Sequence, residues 1–143
     1  MSLRLSDQLC FSLYAASRAM TAAYGPLLAP LGLTYPQYLV MLVLWETDGV
    51  SVKQLGEALE LDSGTLTPLL KRMEAQGVVT RRRTTADERV VEIHLTPAGK
   101  RLRARAVDIP GKLCRAIGVP LGELGALRDQ LHELARSVRA TAT

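Results

Sequence analysis

The side chains best suited to covalent or proton-transfer chemistry in this 143-residue sequence are two thiols and four phenols, and they are unevenly placed. Cys10 lies in the opening stretch LSDQLCFSLYAASRAMTAAYGP, and Tyr14, Tyr24, Tyr35 and Tyr38, all the tyrosines of the chain, fall within 28 residues of it. Cys114, the other cysteine, stands far downstream in GKLCRAIG. A thiol attacks a peroxide as its thiolate, and the positive end of a helix favours that form. With Ser6 as the cap, Cys10 falls just past the first turn of a helix, where the dipole still acts. Tyr14, four residues on, shares its face. Tyr24 is fourteen residues on: it returns to within about 40° of the Cys10 face but stands roughly 21 Å away along the axis. One straight helix cannot bring Tyr24 to Cys10, whereas a second chain or a helix that folds back can. Phenolic hydroxyls donated to a thiolate stabilise the charge. Phe11, Leu13 and Tyr38 would give such a site apolar walls, suited to an organic peroxide over hydrogen peroxide. The plain alternative for Cys10 is a buried small hydrophobe, the commonest fate of a free cysteine.

Oxidised to a sulfenic acid, a cysteine condenses with a second thiol to a disulfide. Cys114 therefore has two readings, a packed thiol or the resolving partner of Cys10; a small cellular thiol is the other possible partner. Two distant cysteines with no secretion signal point to reduced thiols in a cytoplasm, not to a structural disulfide framework. His94 and His132, the only histidines, form no metal-ligand spacing with the cysteines, so no metal site is expected. There is no glycine-rich phosphate loop and no Ser/His/Asp arrangement, and no cofactor is expected. A thiol peroxidase would use the same two cysteines but would leave unexplained the basic segment described next, so the chain is read as a non-enzyme. The richest apolar run, YLVMLVLW, is eight residues long, too short to span a membrane.

The elements that must position these groups are mostly helical. Leu9, Leu13, Ala16 and Met20 form a stripe at helical spacing to about Ala23, and Gly25–Pro26 and Pro30–Leu31–Gly32 then break or bend the chain. Pro36 suits the first turn of a buried helix, QYLVMLVLWE, ending near Asp48–Gly49. Ser51 caps VKQLGEALEL, and Asp62 or Ser63 caps GTLTPLLKRMEAQ, closed by Gly77. Val78–Thr80 and Val90–Leu95 flank a charged tip and predict a long-looped hairpin. Thr96–Pro97 opens a helix interrupted around Ile109–Pro110–Gly111, and Pro120 starts a last one with Leu124, Leu127, Leu131 and Leu134 in register.

The charge is concentrated in the middle of the chain. Residues 63–105 hold ten basic and four acidic groups, whereas residues 1–62 hold three and six. A basic block on a folded domain marks a polyanion-binding surface, although a solvated helical face would look the same by charge alone. The order of elements favours the former: helix, turn, helix and charged hairpin make a winged helix-turn-helix. Its second helix begins with Asp62, Ser63, Gly64, Thr65 and Thr67, short polar groups suited to base edges and phosphates, with Lys71 and Arg72 in reach of the backbone. The hairpin carries Arg81, Arg82, Arg83 and Arg89, which suit a minor groove, and Asp87 is placed to hold Arg89.

The stretch KQLGEALELDSGTLTPLLKRMEAQGVVTRRRTTADERVVEIHLTPAG resembles the DNA-binding lobe of MarR-type transcriptional regulators. More narrowly, DQLCFSLYAASRAM, GLTYPQYLVMLVLWE, LDSGTLTPLLKRME and VDIPG resemble the OhrR-type branch, which senses organic hydroperoxides, and the likeness covers nearly the whole chain. It implies a mostly α fold with a small β-wing. Residues 35–97 would form the DNA-binding lobe, and residues 1–34 with 98–143 a helical dimerisation region. It implies a homodimeric repressor on a near-palindromic double-stranded operator. It also implies that Tyr24 and Tyr35 of one subunit approach Cys10 of the other, and that a disulfide to Cys114 joins the subunits. A MarR-type regulator released by a phenolic or other small ligand, with Cys10 structural, is the alternative within the same family.

Overall fold

The computed structural model describes residues 2–84 and 89–142, and the chain divides into two compact units, Met1–Val107 and Asp108–Thr143. The fold is mostly α with one small antiparallel sheet.

In the first unit, α1 runs over Leu9–Leu28. Ser6 does not cap it, contrary to expectation: Ser6 lies inside a 3-10 turn, Leu5–Asp7, and Gln8 takes the N-cap position. The reason is a competing use of side chains. The Gln8 amide donates back to the carbonyls of Ser2 (2.9 Å) and Arg4 (3.0 Å), which holds the preceding turn closed. Cys10 is consequently the second helical residue. Nor do Gly25–Pro26 end the helix. Proline takes away one N–H bond, to the carbonyl of Ala22, and crowds that carbonyl, but Ala22 is an exposed residue, so the disturbance falls on the solvent side of the helix. Buried Leu28 anchors the continuation, and the chain turns through Ala29–Leu31 to Gly32, whose φ of 70° requires glycine.

Helix α2, Tyr35–Glu46, starts on a capping box in which Thr34 and Gln37 satisfy each other's backbone N–H. Strand β1 is only Val50–Ser51, and Ser51 with Gln54 forms the same box for α3, Val52–Leu59. Asp62 caps α4, Ser63–Ala75, accepting from the Thr65 N–H at 2.7 Å. Strands β2, Val79–Arg83, and β3, Val91–Leu95, form the expected hairpin, with β3 central in the order β1-β3-β2. The third strand was not expected, since two residues are too few to show a period. Thr96 caps α5, Pro97–Ala106. Leu55, Leu66, Leu70, Met73, Val40 and Ile93 lie at the centre of a core shared by α2, α3, α4 and the sheet.

The second unit consists of α6, Ile109–Ile117, and α7, Leu121–Thr141, joined through Gly118. Leu127 and Leu131 of the last apolar stripe are exposed, as are Leu9, Phe11 and Met20 of α1. Among the described residues no single helix is long and apolar enough to cross a membrane.

Candidate redox and nucleic-acid sites

Cys10 lies in the first turn of α1 with its thiol free and exposed. Tyr14, one turn on, is exposed and carries the Arg18 guanidinium over its ring at 5.4 Å. Tyr24 belongs to the same uninterrupted helix as Cys10, so the axial separation of roughly 21 Å stands. Tyr24 instead meets Tyr35, at 4.8 Å between ring centroids, and Tyr38, at 5.6 Å. The turn over Ala29–Gly32 folds α2 back against α1 and sets up this pair. One chain thus presents Tyr24 and Tyr35 together, away from its own Cys10. Tyr38 is buried, and burial, with Tyr35 beside it, raises its hydroxyl above the usual 10.0, so it remains a protonated donor at neutral pH. Its ring continues to Trp45 at 6.4 Å, and the Trp45 indole N–H donates to the Gly99 carbonyl at 3.0 Å. An aromatic column therefore runs from the tyrosine pair to the root of α5.

Cys114 is a half-buried free thiol on α6. It lines a groove of about 570 Å³ with Pro110, Gly111, Arg115, Val119 and Leu121. His94 stands beside Glu92, at 3.9 Å, and among the described residues no three His, Cys, Asp or Glu side chains cluster as a metal site.

Asp62, Ser63, Gly64 and Thr65 are exposed at the start of α4, Thr67 is half-buried, and Lys71 and Arg72 are exposed further along. Arg82, Arg83 and Arg89 are exposed on the hairpin. Asp87 lies outside the described residues. Arg81 is held by Glu74 of α4, a pairing across a tight turn that spacing in the sequence did not reveal. The turn between the tyrosine-bearing helices is also tied to the end of α4 and to α5. The Gln76 side chain donates to the Gly32 carbonyl at 3.1 Å and Arg105 to the Pro30 carbonyl at 2.7 Å.

Asp62 accepts bonds from the Thr65 N–H, the Thr65 hydroxyl and, least, the Gly64 N–H, and these hold its carboxyl below the usual 3.8. A carboxyl lowered in the folded state contributes stability that is complete above 3.8 and is lost as pH falls through the lowered value. Urea unfolding of wild type and Asp62→Asn across acid pH is expected to show wild type the more stable above 3.8, with the difference shrinking below it and vanishing once pH has passed the lowered value. A difference independent of pH would count against a charged cap.

The family description of the SarA/Rot transcriptional regulators matches residues 22–105. The organic hydroperoxide resistance transcriptional regulator of Bacillus subtilis is 51% identical, over 95% of this chain and 92% of the relative. AbfR of Staphylococcus epidermidis, in its reduced form bound to DNA, superposes with a TM-score of 0.86 at 35% identity, covering 99% of this chain and 96% of that one. The overoxidised form of AbfR, also bound to DNA, superposes at 0.80 and 35% identity over 95% and 96% of the two chains. With matches of this extent, the chain belongs to the MarR family of winged-helix transcriptional regulators, in its OhrR-type branch.

Proposed function

We propose that the protein is a cytoplasmic, non-enzymatic, homodimeric repressor that holds a near-palindromic operator while Cys10 is reduced and releases it when an organic hydroperoxide oxidises Cys10. The observation that carries this reading is the separation, within one continuous helix, of an exposed first-turn thiol from a paired Tyr24 and Tyr35. Only another copy of the chain can bring that pair to that thiol. The exposed apolar stripes of α1 and α7 are surfaces for such a copy.

In the reduced dimer, α4 enters the major groove with Asp62, Ser63, Gly64, Thr65 and Thr67 foremost, Lys71 and Arg72 contact phosphates, and Arg82, Arg83 and Arg89 serve the wing. Tyr24 and Tyr35 of one subunit donate to the Cys10 thiolate of the other. The thiolate attacks the peroxide's outer oxygen, giving a sulfenic acid and an alcohol. The Cys114 thiol then condenses with the sulfenic acid, expelling water and leaving a disulfide. Overall the peroxide takes two electrons and two thiols supply them. Because AbfR occurs on DNA in an overoxidised form, the disulfide is the favoured releasing state here, not oxidation of Cys10 as such.

The test is operator binding by fluorescence anisotropy at fixed salt, before and after cumene hydroperoxide. Release that a thiol reductant reverses supports the reading. Unaltered binding, with Cys10 shown by mass spectrometry to be disulfide-bonded to Cys114, counts against it.

A further inference from the structure

We propose that Glu74 is a positioning residue that locks the wing to the recognition helix, and that Arg81, alone of the three consecutive wing arginines, serves this lock and not the nucleic acid. The inference rests on the DNA-binding reading above. Strand β2 is an edge of the three-stranded sheet, so alternate N–H groups along it point away from β3 with no ladder partner. The Arg81 N–H is met by Glu74 Oε2 at 3.3 Å, and the Arg81 Nε lies 3.6 Å from Glu74 Oε1. One carboxylate thus grips the strand by main chain and side chain together. Arg81 pairs in register with the fully buried Ile93, at the middle of the paired strands, so the point of attachment is a packed part of the hairpin and not its tip. Arg82, the next residue, points to the opposite face, across from Glu92.

The geometry matters because two DNA-reading elements meet here. The recognition helix ends at Ala75, Gly77 turns with a φ of 78°, and the wing starts at Val79. A turn this short sets the two elements close but leaves the hairpin's tilt to side chains. A half-exposed ion pair is by itself a weak contact; here its importance lies in fixing the angle at which Arg82 and Arg83 reach the minor groove.

The two accounts of Glu74 predict opposite signs. As a bare negative charge beside a polyanion, its removal tightens binding. As a positioning residue, its removal loosens binding. The experiment uses full-length protein and a palindromic duplex selected by wild type from a random-sequence pool. It measures affinity by anisotropy at several salt concentrations and minor-groove contact by hydroxyl-radical footprinting.

Glu74→Ala is expected to weaken binding about tenfold over the two wings of the dimer. Glu74→Gln should fall between it and wild type, since the amide oxygen still accepts the Arg81 N–H. The double variant Glu74→Ala/Arg81→Ala should be no weaker than Glu74→Ala, which already removes both the main-chain and the side-chain contact. Protection under the wings should fade while that under α4 persists. Glu74→Ala binding as tightly as wild type or tighter, additive losses in the double variant, or wing protection unchanged would each overturn the proposal. Failure of wild type to select any duplex would overturn the DNA-binding reading, and this inference with it.

Discussion

Cys10→Ser protein is expected to hold its operator at a concentration of cumene hydroperoxide that drives wild type off by about a hundredfold, near the upper end of ordinary coupling between two sites in one protein. A hydroxyl of nearly the same size replaces the thiol at an exposed first-turn position, so fold and reduced-state affinity should be unchanged. What is lost is the nucleophile, since a serine hydroxyl does not attack the peroxide bond. Cys114→Ser separates the second step from the first. Its Cys10 should be oxidised as readily as in wild type, because nothing in α1 has changed. It should give no covalently joined chains on a non-reducing gel, and it should remain on DNA, since the disulfide cannot form. The pair of variants, each measured by anisotropy and by intact mass, divides the readings cleanly. Release by Cys10→Ser would make the thiol structural and favour a ligand-driven regulator. Full release by Cys114→Ser would remove Cys114 from the mechanism and leave a small cellular thiol as the partner of Cys10.

The features that could be read from the sequence are those decided within a few residues. Ser51, Asp62 and Thr96 were legible as caps because each must satisfy N–H groups two or three positions on, and the helix pattern behind each agrees, whereas the Thr34 cap of α2 was not read. The hairpin was legible from its β-branched runs. Ser6 failed as a cap because Gln8, a residue with no strong capping preference, finds better partners behind it. Of the break or bend expected at Gly25–Pro26, the break does not occur, because the bond Pro26 removes falls on an exposed residue, and exposure belongs to the fold and not to the neighbouring residues. For the candidate site, helix arithmetic alone separated Tyr24 from Cys10. The stacking of Tyr24 on Tyr35, by contrast, depends on the path of the Ala29–Gly32 turn, and the Glu74–Arg81 pair on how the chain leaves α4 at Gly77. Contacts made across a turn need its dihedral angles, which local composition only loosely restricts.

Gly99→Ala is the substitution expected to damage the fold most, at about 3 kcal/mol, the upper range for overpacking a buried position. In most helices alanine is the better residue by about 0.5–1 kcal/mol, so the sign itself is diagnostic. Gly99 is buried in the first turn of α5, where a Cβ would run into the Val78 carbonyl oxygen and stand 3.2 Å from Leu95 Cδ2. The carbonyl cannot yield, because it also accepts from the Thr96 N–H at 3.1 Å, and Thr96 Oγ1 donates to the adjacent Gly77 carbonyl at 2.6 Å. Helix α5 must therefore move away from the base of the wing. Doing so pulls the Gly99 carbonyl from the Trp45 indole, the far end of the column that begins at Tyr24 and Tyr35. At fixed protein concentration the melting temperature should fall by roughly 10 °C. Trp45 is the only tryptophan, so its emission reports the broken bond directly and should shift to the red in the folded variant. A melting temperature and an emission maximum both equal to wild type would show that α5 can rest on the hairpin without this close approach. The column would then end at Trp45, with no hold on α5.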